Sequence, residues 1–305
     1  MKNEVKYEQF VDSKEPLISL QEKDRAFYFQ YSETYTYLKD IIDQNRQDYF
    51  DIPYGQEPMQ KLDIHHQKSE CEKLRPVIFF IHGGGWASED KSNTRFYALE
   101  WIKRGYTVVS INYRLVPDVQ HPSQIDDCAM ALKWVLDNIE NYGGDPDKIA
   151  VIGYSAGAHL GALLVTSEKW HKKYNIDINK VKCWIPVSGV FDFNLEEKYI
   201  PEILKLSINA MLVEKDKDDC SPILQVTGHE PPCLILHGGD DWLVPRSNSI
   251  NLHAKLIEKG CKNALLEIVP GYWHVNMMFG YDQEGHKPAE IINAYLEKML
   301  PASGI

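Results

Sequence analysis

The chain is 305 residues long, 44% hydrophobic and 25% charged, with a formal net charge of -11 at pH 7. Such a composition supports a folded core and excludes a disordered chain. The acid excess argues against nucleic-acid phosphates and anionic membrane surfaces as partners, because both need a basic face to displace counterions.

The six cysteines contain no Cys-x-x-Cys pair, so neither a zinc site nor a compact disulfide framework is expected, and reduced thiols fit a cytoplasmic setting. The polar N-terminus has no apolar signal core, and the longest apolar run, 77–81, is too short to cross a bilayer. Taken in order, the chain first shows Phe27, Tyr31, Tyr35, Leu38 and Ile42 recurring every three or four residues within 17–45, which predicts an amphipathic helix. Two extended stretches, 48–53 and 60–65, flank a turn-forming Tyr54-Gly55 and predict antiparallel strands opening a sheet.

Beyond Pro76, short apolar runs alternate with helical segments. That rhythm is the mark of strands joined by crossover helices, hence of an α/β fold with a mostly parallel sheet and helices on both faces. The predicted strands are 77–81, 107–112, 148–152, 181–187, 232–236 and 264–269; the predicted helices are 94–104, 124–141, 156–166, 247–259 and 288–300. The stretch 190–230 breaks the rhythm and is charged, so it reads as an insertion. The expected organisation is one domain over 1–305, with 17–45 and 190–230 forming a small cap above the sheet.

Gly153-Tyr154-Ser155-Ala156-Gly157 sits between a predicted strand and a predicted helix, the setting of a nucleophile elbow. A serine on so sharp a turn needs a strained backbone, and flanking glycines let strand and helix approach. At the end of 77–81 comes His82-Gly83-Gly84-Gly85-Trp86. Its glycine N–H groups can turn toward a carbonyl oxygen without a side chain in the way, and with the N–H of Ala156 they would form an oxyanion hole. His82 itself reads as a hydrogen bonder that stabilises the loop.

A serine hydroxyl needs a base and an orienting acid. The strand 232–236 runs into His237-Gly238-Gly239-Asp240-Asp241, and the strand 264–269 runs into Pro270-Gly271-Tyr272-Trp273-His274. Both place a suitable residue just past a strand's end, on the edge where ligands bind in open α/β sheets. Asp241 is assigned as the acid, with Asp240 its competitor, and His274 as the base.

The stretches His82 to Trp86, Asn112 to Leu115, Tyr142 to Pro146, Gly153 to Leu160 and His237 to Pro245, with His274, span about the last three-quarters of the chain. On these residues the chain resembles the hormone-sensitive-lipase-like and arylformamidase-like esterases of the α/β-hydrolase superfamily. The resemblance implies an α/β-hydrolase fold with a cap, and Gly84 and Gly85 as oxyanion donors beside Ala156. Ser155 to Leu160, Val187 to Asp192 and the opening segment Tyr54-Gly55 with Gln60 to Ile64 are similar to kynurenine formamidase. Two positions depart from the pattern: Trp242 stands where many esterases have proline, and Tyr154 where Asp or His is usual.

The activity expected is hydrolysis of a small carboxylic ester through an acyl-enzyme on Ser155, with no cofactor and no metal. An aryl formamide such as N-formylkynurenine is the alternative substrate, and a non-catalytic ligand-binding protein of the same fold is the rival from another class. Trp86, Tyr154, Trp242 and Trp273 flank the expected site. They either wall a substrate pocket or pack the loops against the cap.

Overall fold

Strands at the centre of a parallel sheet are covered on both faces, so their sequences are continuous apolar runs rather than alternating ones. The computed structural model, which describes residues 46–68, 73–194, 200–212 and 217–302, follows that rule. In β3 (Arg75–Ile81) six consecutive residues are buried, and in β5 (Gly144–Tyr154) the last six are. The other strands are β1 (Arg46–Pro53), β2 (Lys61–Gln67), β4 (Thr107–Ile111), β6 (Val181–Val187), β7 (Cys233–Gly238) and β8 (Ala264–Val269).

These strands form an eight-stranded sheet in the order β1-β2-β4-β3-β5-β6-β7-β8. The pairs β1 with β2 and β2 with β4 are antiparallel, and every pair from β4 to β8 is parallel. From β3 the chain moves outward to β4, then returns to the other side of β3 for β5 and proceeds to β8. The carboxyl ends of β3 and β5 therefore flank the point where the strand order reverses, which is where open α/β sheets present their crevice.

Helices follow most of the strands: α1 (Arg95–Lys103), α2 (Ser123–Asn138), α3 (Ala156–Thr166), α4 (Glu168–Tyr174), α5 (Glu202–Met211), α6 (Lys217–Cys220), α7 (Pro222–Gln225), α8 (Ser247–Glu258) and α9 (Lys287–Met299). Every residue of α3 is buried, so the helix behind Ser155 runs through the core. The expected strands and helices after Pro76 are all present within a few residues of their predicted ends, and α4 was not anticipated.

The described residues lie in one of the two units into which the chain divides, Asn45–Ile305. The helix expected over 17–45, and its part in a cap, fall outside the described residues. Within 190–230 the insertion carries α5, whose Leu204, Ile208 and Met211 are buried at steps of three to four residues. That helix lies over the glycine loop: a Cβ placed on Gly85 would stand 3.2 Å from the Ser207 hydroxyl.

Polar anchors fix the loop ends where the sheet alone cannot. Asp127 of α2 receives the Arg114 guanidinium (Nη2 to Oδ1 2.8 Å, Nε to Oδ2 2.9 Å), the Arg114 amide and the Gln60 side chain. A bidentate arginine–carboxylate pair fixes direction as well as distance. It ties the segment after β4 to the helix and to β2.

The elbow depends on two glycines for space. A Cβ on Gly157 would stand 2.1 Å from the Ile81 carbonyl oxygen and 2.4 Å from that of His82; one on Gly153 would stand 2.2 Å from the Gly157 carbonyl oxygen. All three contacts are with backbone, which cannot swing aside. Gly157→Ala is therefore expected to destabilise the fold by about 3 kcal/mol, the scale of severe overpacking. Urea denaturation of the purified variant measures it, and an unchanged midpoint is the contrary outcome.

Candidate active site

Three loops at the carboxyl ends of β5, β7 and β8 meet at one edge of the sheet. Ser155 occupies the elbow with φ 54° and ψ -118°, a strained conformation for a residue with a side chain. Its amide donates to the Val187 carbonyl at 2.8 Å, and its carbonyl accepts from the His159 amide at 3.1 Å. Backbone bonds on both sides thus hold the turn and leave the hydroxyl at the sheet edge.

The Ser155 hydroxyl lies 2.9 Å from His274 Nε2, and His274 Nδ1 lies 2.8 Å from Asp241 Oδ2. An ionised carboxylate only accepts, so Nδ1 carries the proton and Nε2 is free to accept from the serine. The other oxygen of Asp241 accepts from the amides of Leu243 and Val244 at 3.0 and 2.9 Å. His237 Nε2 stands 3.3 Å from Asp241 Oδ2 and 3.0 Å from the Val244 carbonyl, and the Ser249 hydroxyl holds its Nδ1 at 2.7 Å.

Burial works to raise the Asp241 carboxyl, but the His274 charge and the hydrogen bonds from His237 and His274 win and hold it well below the usual carboxylate range. Asp240, the competing acid, is exposed and turns its amide to the Tyr272 carbonyl. Of the two aspartates, Asp241 is the one joined to His274.

The glycine loop is shaped by Tyr113. Its hydroxyl bridges the carbonyls of His82 and Gly83 at 3.1 and 2.8 Å, and its ring stacks on the His82 imidazole with centroids 4.4 Å apart. His82 Nδ1 donates to the Gly83 carbonyl at 3.1 Å, the loop-stabilising part expected of it. With these carbonyls committed, Gly84 and Gly85 turn through φ of 88° and 60°. Among the described residues, no acceptor meets the amides of Gly84, Gly85 or Ala156. Ala156 opens α3, where first-turn amides have no partner inside the helix.

Two of the four aromatic residues expected to wall a pocket do something else. Trp86 is 1% exposed, and its indole N–H donates to His159 Nδ1 at 3.1 Å. His159 then donates from Nε2 to the Cys220 carbonyl at 2.8 Å, so one imidazole ties the glycine loop to the insertion. Tyr154 is 4% exposed, and its hydroxyl donates to the His274 carbonyl at 3.0 Å. Both rings brace loops because their polar tips have buried partners, which is the packing alternative for these two positions. Trp242 and Trp273 are half-exposed, in the loops that carry Asp241 and His274.

Sequence reasoning had no part for Tyr113, His159 or His237, although each lies inside a stretch that carries the family resemblance. Their partners are 30, 73 and 12 residues away, and no local pattern reports such bonds. Among the described residues, no group of three or more His, Cys, Asp or Glu side chains is assembled to hold a metal ion, and no helix is long and apolar enough to cross a membrane.

An eight-stranded, mostly parallel sheet with a serine elbow at its reversal point is the frame of an α/β-hydrolase, of the kind found in esterases. Within that superfamily the chain belongs to the BD-FAE family, whose profile matches residues 62–256. It is similar to Esterase LipC of Mycobacterium tuberculosis, 30% identical over 209 residues that cover 64% of this chain and 51% of the relative. The Probable carboxylic ester hydrolase LipM of the same organism is 34% identical over 209 residues, 64% of this chain and 48% of the relative. This chain thus spans about half the length of those relatives. Among solved structures, a truncated carbohydrate esterase from gut microbiota superposes with a TM-score of 0.73 at 22% identity, over 84% of this chain and 97% of the other.

Burial pushes His82 down to about 4 and His159 down to about 3, against partial compensation by their backbone hydrogen bonds. Between these values and the ordinary histidine value of 6.5, the unfolded chain takes up protons that the folded chain refuses. Stability is therefore expected to fall as pH drops from about 6.5 toward 4, by an amount on the order of 2 kcal/mol per histidine. Urea midpoints at a series of pH values test this, and His159→Gln should flatten the slope; a wild-type midpoint constant across that window would contradict it.

Proposed function

We propose that the chain is a serine hydrolase of carboxylic esters that works through an acyl-enzyme on Ser155. The observation that carries the reading is the continuous chain of hydrogen bonds from Ser155 through His274 to Asp241, set beside three amides without acceptors. In the first step the Ser155 oxygen attacks the ester carbonyl while its proton passes to His274 Nε2. The carbonyl oxygen becomes an oxyanion facing the amides of Gly84, Gly85 and Ala156, and each such donor stabilises the transition state by about 3 to 4 kcal/mol.

As the tetrahedral intermediate collapses, His274 returns the proton to the departing alkoxide, and the alcohol leaves. Water then attacks the acyl-enzyme with His274 again as base, which releases the acid and restores the serine hydroxyl. Asp241 remains ionised throughout, because its environment holds the carboxyl so low, and it keeps the imidazole in the tautomer that accepts from serine. Trp242 and Trp273 contribute the apolar wall that an acyl or alcohol group would meet.

Esters are placed ahead of aryl formamides because LipC is an esterase and LipM a probable carboxylic ester hydrolase. A panel of p-nitrophenyl acetate, p-nitrophenyl butyrate and N-formylkynurenine separates the two. Faster turnover of the formamide would reverse the order, and no turnover of any member together with no fluorophosphonate labelling would favour a non-catalytic binding protein.

Ser155→Ala is expected to abolish turnover and labelling with no loss of stability, since only one oxygen is removed. Asp241→Asn should lower kcat by about 10^4. The new amide can keep the bonds from Leu243 and Val244 only by presenting its NH2 to His274 Nδ1, which forces the imidazole into the wrong tautomer. Steady-state kinetics on the ester panel check both, and a kcat within tenfold of wild type for either variant would remove that residue from the mechanism.

A further inference from the structure

The amides that would face an oxyanion come from two separate segments. Ala156 opens α3, one residue after the nucleophile, whereas Gly84 and Gly85 lie on the loop after β3. For these donors to serve one oxygen, the spacing between helix and loop has to be kept to within about half an ångström. At the root of the loop, packing keeps it: Gly157 of α3 lies so close to the carbonyls of Ile81 and His82 that a Cβ would stand 2.1 and 2.4 Å from them. That contact ends before the loop reaches its donors. From Gly84 to Trp86 the backbone is left-handed at three consecutive residues, with φ of 88°, 60° and 60°. Glycine tolerates this region, but tryptophan is strained in it, so Trp86 stays there only while something holds it.

Two hydrogen bonds do so. The Trp86 carbonyl accepts from the Val116 amide at 2.9 Å, and the Trp86 indole N–H donates to His159 Nδ1 at 3.1 Å. The first fastens the loop to the segment after β4. The second fastens it to α3 itself, because His159 stands one turn beyond the nucleophile and its amide donates to the Ser155 carbonyl at 3.1 Å. The His159 ring is fully buried, meets Phe193 edge-on with centroids 4.9 Å apart, and donates from Nε2 to the Cys220 carbonyl at 2.8 Å. It cannot turn without losing a partner. One side chain thus connects the helix that carries Ser155 and Ala156 to the residue immediately after Gly85.

We propose that His159 is a positioning residue of the reaction, which holds Trp86 in its left-handed turn and thereby sets the spacing between the Gly84 and Gly85 amides and that of Ala156. This rests on the serine-hydrolase reading. His159 touches no reacting atom, and no proton passes through it. Without the indole bond, Trp86 relaxes toward the ordinary backbone regions, the Gly85 amide shifts with it, and the oxyanion loses a donor. The developing charge exists only in the transition states, so the loss falls on kcat and leaves KM nearly alone.

The test compares wild type with His159→Leu, His159→Gln, Trp86→Phe and the double variant His159→Leu with Trp86→Phe. It reads kcat and KM for p-nitrophenyl acetate and the rate of Ser155 labelling by a fluorophosphonate. His159→Leu and Trp86→Phe should each lower kcat about a hundredfold, the scale of one lost oxyanion donor, with KM changed by less than about threefold. Labelling should slow in parallel. His159→Gln carries one acceptor and one donor on a side chain of similar reach, and should keep kcat within about threefold of wild type. If His159 acts through Trp86, the double variant should be no more than about threefold slower than either single one, because both changes break the same bond.

A kcat within about threefold of wild type for Trp86→Phe or for a folded His159→Leu overturns the proposal. So do losses that multiply in the double variant, a loss confined to KM, or a His159→Gln no faster than Trp86→Phe, each of which would leave His159 a merely structural residue. Should His159→Leu fail to fold, Trp86→Phe and His159→Gln decide the matter between them. Any of these results with wild type labelled at Ser155 sinks this inference alone; a wild type that is never labelled there sinks the hydrolase reading with it.

Discussion

The site depends on one constraint, the left-handed backbone of Ser155 at the end of β5. That conformation is costly for any residue with a Cβ, and it persists here because the surroundings leave no alternative. Gly153 and Gly157 bring β5, α3 and the carbonyls after β3 so close that even a methyl group would collide with main chain. Sheet neighbours secure the turn through the Val187 carbonyl. The hydroxyl is consequently delivered to the sheet edge by packing, and the loops bearing His274, Asp241 and the glycines need only reach it.

Those loops are held by buried polar bonds rather than by regular structure. Tyr113 fixes two carbonyls of the glycine loop, His237 and two amides surround Asp241, and Tyr154 fastens the carbonyl of His274. Each is a satisfied polar group in an apolar setting, where leaving either partner unmatched costs more than the bond itself contributes. Bonds of this kind hold the loops in one geometry by mutual support rather than by regular secondary structure.

How much was legible in the sequence follows from how local each signal is. The Ser155 elbow combines a strand end, a turn and a helix start within a few residues, so pattern alone located it. The order of Asp241 and His274 and their places just beyond strands were legible, but only the structure shows their hydrogen bond to one another, and burial separates Asp241 from exposed Asp240. Trp86 and Tyr154 read equally as pocket walls or braces, because their neighbours in sequence say nothing about His159 or the carbonyl of His274. The buried face of α5 was available at Leu204, Ile208 and Met211, but the surrounding charge masked it.

The imidazole of His159 joins the indole of Trp86 to the carbonyl of Cys220 and has no third ring nitrogen with which to relax either bond. It behaves as a rigid strut between the floor of the glycine loop and the short helices α6 and α7. A displacement at one end is therefore an energetic matter for the other. The two bonds also set one another's sense: an imidazole that donates to the Cys220 carbonyl from one nitrogen can only accept from the Trp86 indole at the other. A single neutral ring thus fixes the position of the insertion and that of the glycine loop at once, and neither bond can change its donor without the other changing too.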